Sequence, residues 1–266
     1  MRRVVLRATA VGVLTGLLLL GLGFLCATAP VRHSRFGQRL ERRLPVAWSR
    51  AALLAGSPFE QMDAIECLRR VGTPAAMSAL CEAVQSRRVS PRDPACIAVV
   101  RVAQSTASKD VRALAIRRVA GFTASGDADL RRPAQRTLRD MAQLPGLSDR
   151  PEVRRALLRG LEDADLECRR FAATTVRKLW HINREMDPGL AGALQVCLLG
   201  RSPGPVPSGR RPPPDSWVAE LGRGLTRSSF HQRLSLLVEL WEWGTPRSRQ
   251  LVRGYLARHP LAEAHP

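Results

Sequence analysis

"LLRGLEDADLECRRFAATTVRKL", residues 157–179, decides how the chain is read. Two apolar runs flank four acids, Glu162, Asp163, Asp165 and Glu167. The acids either form a metal or acid–base site or turn the chain between two helices. A calcium loop needs ligands at set alternations, a glycine at the bend and a closing bidentate glutamate, and that spacing is absent here. Asp165 is placed as an N-cap, and Glu167 falls in the first turn, where the helix dipole favours an acid. The turn reading is preferred, and with it the expectation that Asp163→Asn costs little. No metal, cofactor or catalytic residue is assigned.

The unit recurs. An acid, an apolar residue and an arginine open "DVRALA" at Asp110, "DLRRPA" at Asp129, "EVRRAL" at Glu152 and "ECRRFA" at Glu167. The apolar residue and the small residue four positions later share one helix face. Like starts alternate, with about forty residues between equivalents, as in stacked helix pairs. In "DLRRPA", Pro133 falls just past the first turn and is expected to delay or distort its helix.

A second device marks both ends of the body. Ser57, Pro58 and Glu60 form a capping-box pattern with proline at the first helical position. The helix runs to Gly72, and Thr73 and Pro74 open the next. Gly244, Thr245 and Pro246 repeat this turn. Around it "FEQMDAIECLRRVGTPAAMSALCEAV" and "FHQRLSLLVELWEWGTPRSRQLVRGYL" align Leu68 with Leu240, Leu80 with Val252 and Val84 with Leu256, with one residue of slack near the start. "RSPGPVPSGRRPPPDS", residues 201–216, interrupts the helical text and reads as a linker of low order.

The segment from residue 157 to 179 resembles the HEAT-like repeats named after the phycobilisome lyases, with Asp165, Cys168, Arg169, Ala172, Ala173 and Leu179 fitting the pattern and Cys168 standing where valine is usual. The resemblance covers residues 57–199 and extends less surely over 215–260. It implies an all-α fold, an α-solenoid of stacked antiparallel helix pairs, about four to five in number. It does not imply an activity, since such repeats occur in scaffolds, lyase subunits and some DNA-repair enzymes. The sequence offers no residue-by-residue match to those enzymes.

The N-terminus carries a different signal. Arg2, Arg3 and Arg7, in residues 1–7, precede a stretch uncharged from Ala8 to Val31, long enough to cross a hydrocarbon core of about 30 Å. An uncleaved anchor over 8–31 is the first reading, a cleaved signal the second and a lipoprotein at Cys26 the third. Residues 32–56 read as a basic juxtamembrane segment, with Phe36, Leu40 and Leu44 on one stripe and residues 32–44 able to lie on an anionic surface. The arginines after the span outnumber those before it, which places the body in the cytoplasm. The usual behaviour of a short signal anchor places it outside, and this second orientation is preferred.

The net charge is +19, almost all from arginine, with Lys109 and Lys178 the only lysines. The cations are spread over the whole chain, so no segment reads as a nucleic-acid face, and nucleic acid is not the expected partner. Of the six cysteines no pair is spaced C-x-x-C, and most read as buried small apolar residues; for an exported body, Cys67 and Cys81 at comparable heights on adjacent helices are a candidate bridge, ranked below the buried thiols. The histidines, at 33, 181, 231, 259 and 265, form no ligand pair, and no phosphate loop or nucleophile motif is present.

The reading is a membrane-anchored, non-catalytic scaffold. Its parts are the repeats at 57–200, the linker at 201–216 and C-terminal hairpins at 217–260 that continue the array. The expected partners are another protein and membrane lipid. Arg112, Arg131, Arg154, Arg169, Trp241 and Trp243 are the candidate contact residues. Trp241 and Trp243, two apart on a helix, point to different faces. The alternatives are a nucleic-acid-binding or base-excising HEAT-like protein and a lyase-like subunit docking on a pigment protein.

Overall fold

A computed structural model describes residues 44–86, 92–183, 187–200, 214–227 and 229–261, without the side chains of Asn183, Phe230 and His231. The apolar span at 8–31, its basic flanks up to residue 43, Cys26 and most of the segment at 201–216 lie outside the described residues. Among the described residues no helix is long and apolar enough to cross a membrane.

Every regular element described is a helix, and adjacent helices pack in pairs. Contacts divide the chain into two compact units, Met1–Ala115 and Ile116–Pro266. The division falls inside a helix, and not at the Pro-rich segment where composition changes.

The first unit holds α1 (Pro45–Ala55), α2 (Pro58–Val71), α3 (Pro74–Gln85), α4 (Arg92–Ser105) and the start of α5 (Lys109–Phe122). α1 packs on α2 and α3, α2 on α3 and α4, and α3 on α4. The two hairpins therefore meet layer to layer, first helix on first and second on second. Trp48, Leu53, Ile65, Leu68, Met77, Leu80, Val84 and Val99 fill the core. Pro45–Ala55, inside the stretch that the sequence assigned to a juxtamembrane segment, is thus a packed helix. Proline at N1 starts α1, and Trp48, Ala52 and Leu53 give it a buried stripe.

The second unit holds the rest of α5, then α6 (Ala128–Asp140), α7 (Pro151–Glu162), α8 (Leu166–Asn183), α9 (Pro188–Gly200), α10 (Asp215–Arg227), α11 (Phe230–Trp243) and α12 (Pro246–Leu256). α8 packs on α6, α7, α9 and α11. α9 packs on α7 and α12, and α10 on α11 and α12. Two of these contacts join helices before residue 201 to helices after residue 214. Thr174 Oγ1 donates to Glu242 Oε1 at 2.9 Å, and the Leu261 N–H donates to Gln195 Oε1 at 2.7 Å.

The caps explain why helices start and stop where they do. Ser57 accepts the Glu60 N–H, while the Glu60 carboxylate accepts the Ser57 N–H at 2.8 Å. Gly72 ends α2 at φ 60°, the left-handed region that favours glycine. Thr73 then caps α3 by accepting the Ala76 N–H. At the other end of the body, Gln232 Oε1 accepts the Ser229 N–H, Gly244 ends α11 at φ 62°, and Thr245 caps α12 by accepting the Ser248 N–H. The interval from capping serine to terminating glycine is the same in both hairpins. The slack in the sequence alignment comes from matching Phe59 to Phe230, whereas the caps match Ser57 to Ser229.

Pro133 does not delay its helix. α6 starts at Ala128 behind the Asp127 cap, which accepts the Asp129 N–H at 3.0 Å, and it runs through Pro133. Leu130, Ala134, Gln135 and Leu138 bury one face of it on either side of the proline. Tertiary packing outweighs the loss of one backbone hydrogen bond.

Candidate functional site

The acidic turn between α7 and α8 is where sequence and geometry converge. Asp163 receives a two-pronged contact from Arg131 on α6, Nε to Oδ2 at 2.7 Å and Nη2 to Oδ1 at 3.0 Å. Their side chains are 7 % and 18 % exposed. Asp163 Oδ1 also accepts the Asp165 N–H at 2.8 Å. Arg132, the next residue on α6, holds Asp165 Oδ2 from Nε at 2.9 Å and Nη2 at 2.7 Å. Asp165 Oδ1 accepts the Cys168 N–H at 3.0 Å, the N-cap contact expected from sequence. Glu167 pairs with Arg170 at 2.8 Å.

These contacts set the charges. Burial pushes the Asp165 carboxyl up, but the Arg132 hydrogen bonds and the Cys168 N–H outweigh it and hold the group at about 2. Burial opposes ionisation of Asp163 in the same way, and the Arg131 guanidinium outweighs it and lowers that carboxyl too. Cys168, fully buried beneath both carboxylates, is pushed up to about 12 by burial first and then by the two negative charges. Its thiol stays protonated at neutral pH and is a packing group, not a nucleophile. The turn is therefore an arginine-braced cap. Among the described residues no group of three or more His, Cys, Asp or Glu could hold a metal ion. The expectation that Asp163→Asn costs little took no account of Arg131: removing the charge leaves that guanidinium, mostly shielded from water, with its carbonyl acceptors at Ser125 and Gly126 but no counter-charge.

The acid–apolar–arginine pattern has a structural meaning. Arg112 donates from Nη2 to Thr106 O at 2.8 Å, Arg131 from Nη1 to Ser125 O at 3.0 Å, and Arg169 from Nη1 to Asp163 O at 2.7 Å. Each guanidinium reaches the carbonyl six residues back, across the turn that precedes its helix. Carbonyls that a helix end or turn leaves without a backbone donor are thereby satisfied. The fourth arginine of the pattern, Arg154, is exposed and pairs instead with Asp187 at 3.0 Å, just before α9.

The six candidate contact residues thus take different places. Arg112, Arg131 and Arg169 point back into their own turns, and Arg169 is itself buried. Arg131 and Arg169 are brought together on Asp163, one at the carboxylate and the other at the backbone carbonyl. Arg154 is on the surface. Trp241 is in the core, and Trp243 is half-buried, its ring edge-on to Trp217 of α10 at 5.7 Å and 85°. The two tryptophans do face different ways. Cys67 is half-buried and Cys81 buried, and no disulfide joins them.

Sequence reasoning did not single out an exposed apolar corner in the first unit: Leu54 at the end of α1, and Phe59 and Met62 at the start of α2. A signal was available. Gln61, Ala64, Ile65 and Leu68 form the buried stripe of α2, and Phe59 and Met62 fall off it.

Helix pairs with braced turns define the class of protein that the fold supports, an all-α one. No family model matches the chain, and neither a curated protein nor a solved structure matches it.

Proposed function

We propose that the chain is a membrane-anchored, non-catalytic scaffold whose helix pairs form a HEAT-like α-solenoid and offer its surface to a protein partner. The observation that carries this reading is the reach of Arg112, Arg131 and Arg169 to the carbonyl six residues back. The residues that a sequence search would take for chemistry are engaged in holding turns at a fixed angle, which is what a stack of helix pairs requires. The uncharged stretch from Ala8 to Val31 supplies the anchor.

The test uses the full chain in intact membranes, with benzoylphenylalanine in place of the exposed Arg118 or Arg155. The expected result is that the chain stays in the pellet after an alkaline carbonate wash and gives a discrete crosslinked band that survives nuclease and is digested by protease. A chain released by the wash contradicts the anchor. Crosslinks that vanish with nuclease, from a complex whose affinity falls steeply with salt, contradict the protein partner, because phosphate binding carries that salt dependence.

A further inference from the structure

We infer that the corner between α1 and α2 dips into the membrane interface, with Leu54, Phe59 and Met62 entering the boundary between headgroups and acyl chains. This rests on the anchored reading above and extends it from residues 8–31 to the folded body. Phe59 is 76 % exposed, Leu54 66 % and Met62 42 %. Phe59 and Met62, three apart on α2, share one face. Leu54 and Ala55 close α1, and Ser57 and Pro58 open the next helix. All four are exposed, so the corner presents "LAGSPF" to the outside with Ser57 as its only side-chain hydroxyl. Large apolar side chains grouped at one exposed corner mark a surface that another phase or molecule covers.

The chain itself indicates which. The uncharged stretch ends at Val31, and residues 32–43, with five arginines, separate it from Leu44, the first described residue. α1 has 11 residues, so the corner is about 16 Å from Leu44 along its axis. A span in the bilayer therefore tethers this corner to the membrane through only twelve intervening residues, whose five arginines suit lipid phosphates. The acid beside Phe59 does not oppose insertion strongly. The Glu60 carboxylate accepts both the Ser57 N–H at 2.8 Å and the Ser57 hydroxyl at 3.0 Å, which turns it into the cap. Asp63 is exposed on the same turn, so insertion is driven by apolar contact and needs no anionic lipid at the corner. Interfacial helices bury such side chains about 5–10 Å into the boundary.

The experiment places benzoylphenylalanine at position 59, at position 62 or, as control, at Arg70, in the full chain reconstituted into phosphatidylcholine vesicles. Arg70 is exposed on the same helix and about 16 Å further along it. Helix content measured by circular dichroism checks that each variant folds, and position 62 serves if 59 does not. After irradiation, mass spectrometry is expected to find phospholipid adducts at 59 and 62 at least tenfold above those at 70. Lipid adducts no more frequent at 59 and 62 than at 70, or adducts only to a second protein chain, overturn the inference. An alkaline wash of the same vesicles separates the two readings: a chain that resists the wash yet gives no lipid adduct at the corner keeps its anchor and loses the wedge.

Discussion

Gly160→Leu and Ala172→Arg are expected to lower the stability of the full chain by about 3–5 kcal/mol each, read as a shift of the urea midpoint at unchanged slope. α7 approaches α6 and α8 closely at Gly160. A methyl group there would overlap Gln135 Nε2 and stand 2.7 Å from the Ala172 Cβ. Neither neighbour can yield cheaply. Gln135 is almost wholly buried and donates from Nε2 to Ala156 O at 2.9 Å, and the Ala172 Cβ is fixed to the backbone of α8. Even Gly160→Ala, which gains about 1 kcal/mol in an open helix, is expected to destabilise here, by about 1–3 kcal/mol. Gly121→Ala is the control. A methyl group added there would meet nothing within 4 Å, and the ordinary gain is expected. A neutral Gly160→Ala would show that the three helices do not meet as described.

Asp163→Asn is expected to cost about 2–3 kcal/mol, against at most about 1 kcal/mol for Asp165→Asn. The ranking follows from exposure. Asp163 and Arg131 are both largely shielded, while Arg132, the partner of Asp165, is 46 % exposed. Asparagine also remains a good N-cap at 165. The acid limb provides a second readout. Both carboxylates are held below their unfolded values, so their contribution is complete above about pH 4 and is lost as pH falls towards the folded value of Asp165, about 2. The stability gap between the native chain and Asp163→Asn should therefore narrow as pH falls below about 4. Equal costs for the two substitutions, restored by a divalent cation, would reinstate an ion site.

The parts of the fold legible in sequence are those whose chemistry spans three or four residues. Ser57 with Glu60, Gly72 with Thr73 and Pro74, and Asp165 with the start of α8 are local caps, and residue type alone places each of them. The partner of Asp163 is hidden from the sequence because Arg131 lies 32 residues earlier and meets it only when α6 packs beside the turn. The inward direction of Arg112, Arg131 and Arg169 is hidden for a related reason. A charged residue early in a helix reads as solvated, and only the path of the preceding turn brings a carbonyl within its reach. α1 is masked by the arginines before it, although Trp48, Ala52 and Leu53 already form its stripe. The boundary between the two units falls within α5, where neither proline nor a change in composition marks it.

The scaffold reading depends most on whether helices on either side of residues 201–213 belong to one stack. α8 meets α11 and α9 meets α12, so the two parts pack on each other. The direct test inserts a specific protease site after Ser208 of the full chain, cleaves it, and passes the product over a sizing column in non-ionic detergent without denaturant. The two fragments are expected to elute together and to separate only in denaturant. Elution as two folded pieces would contradict the scaffold reading.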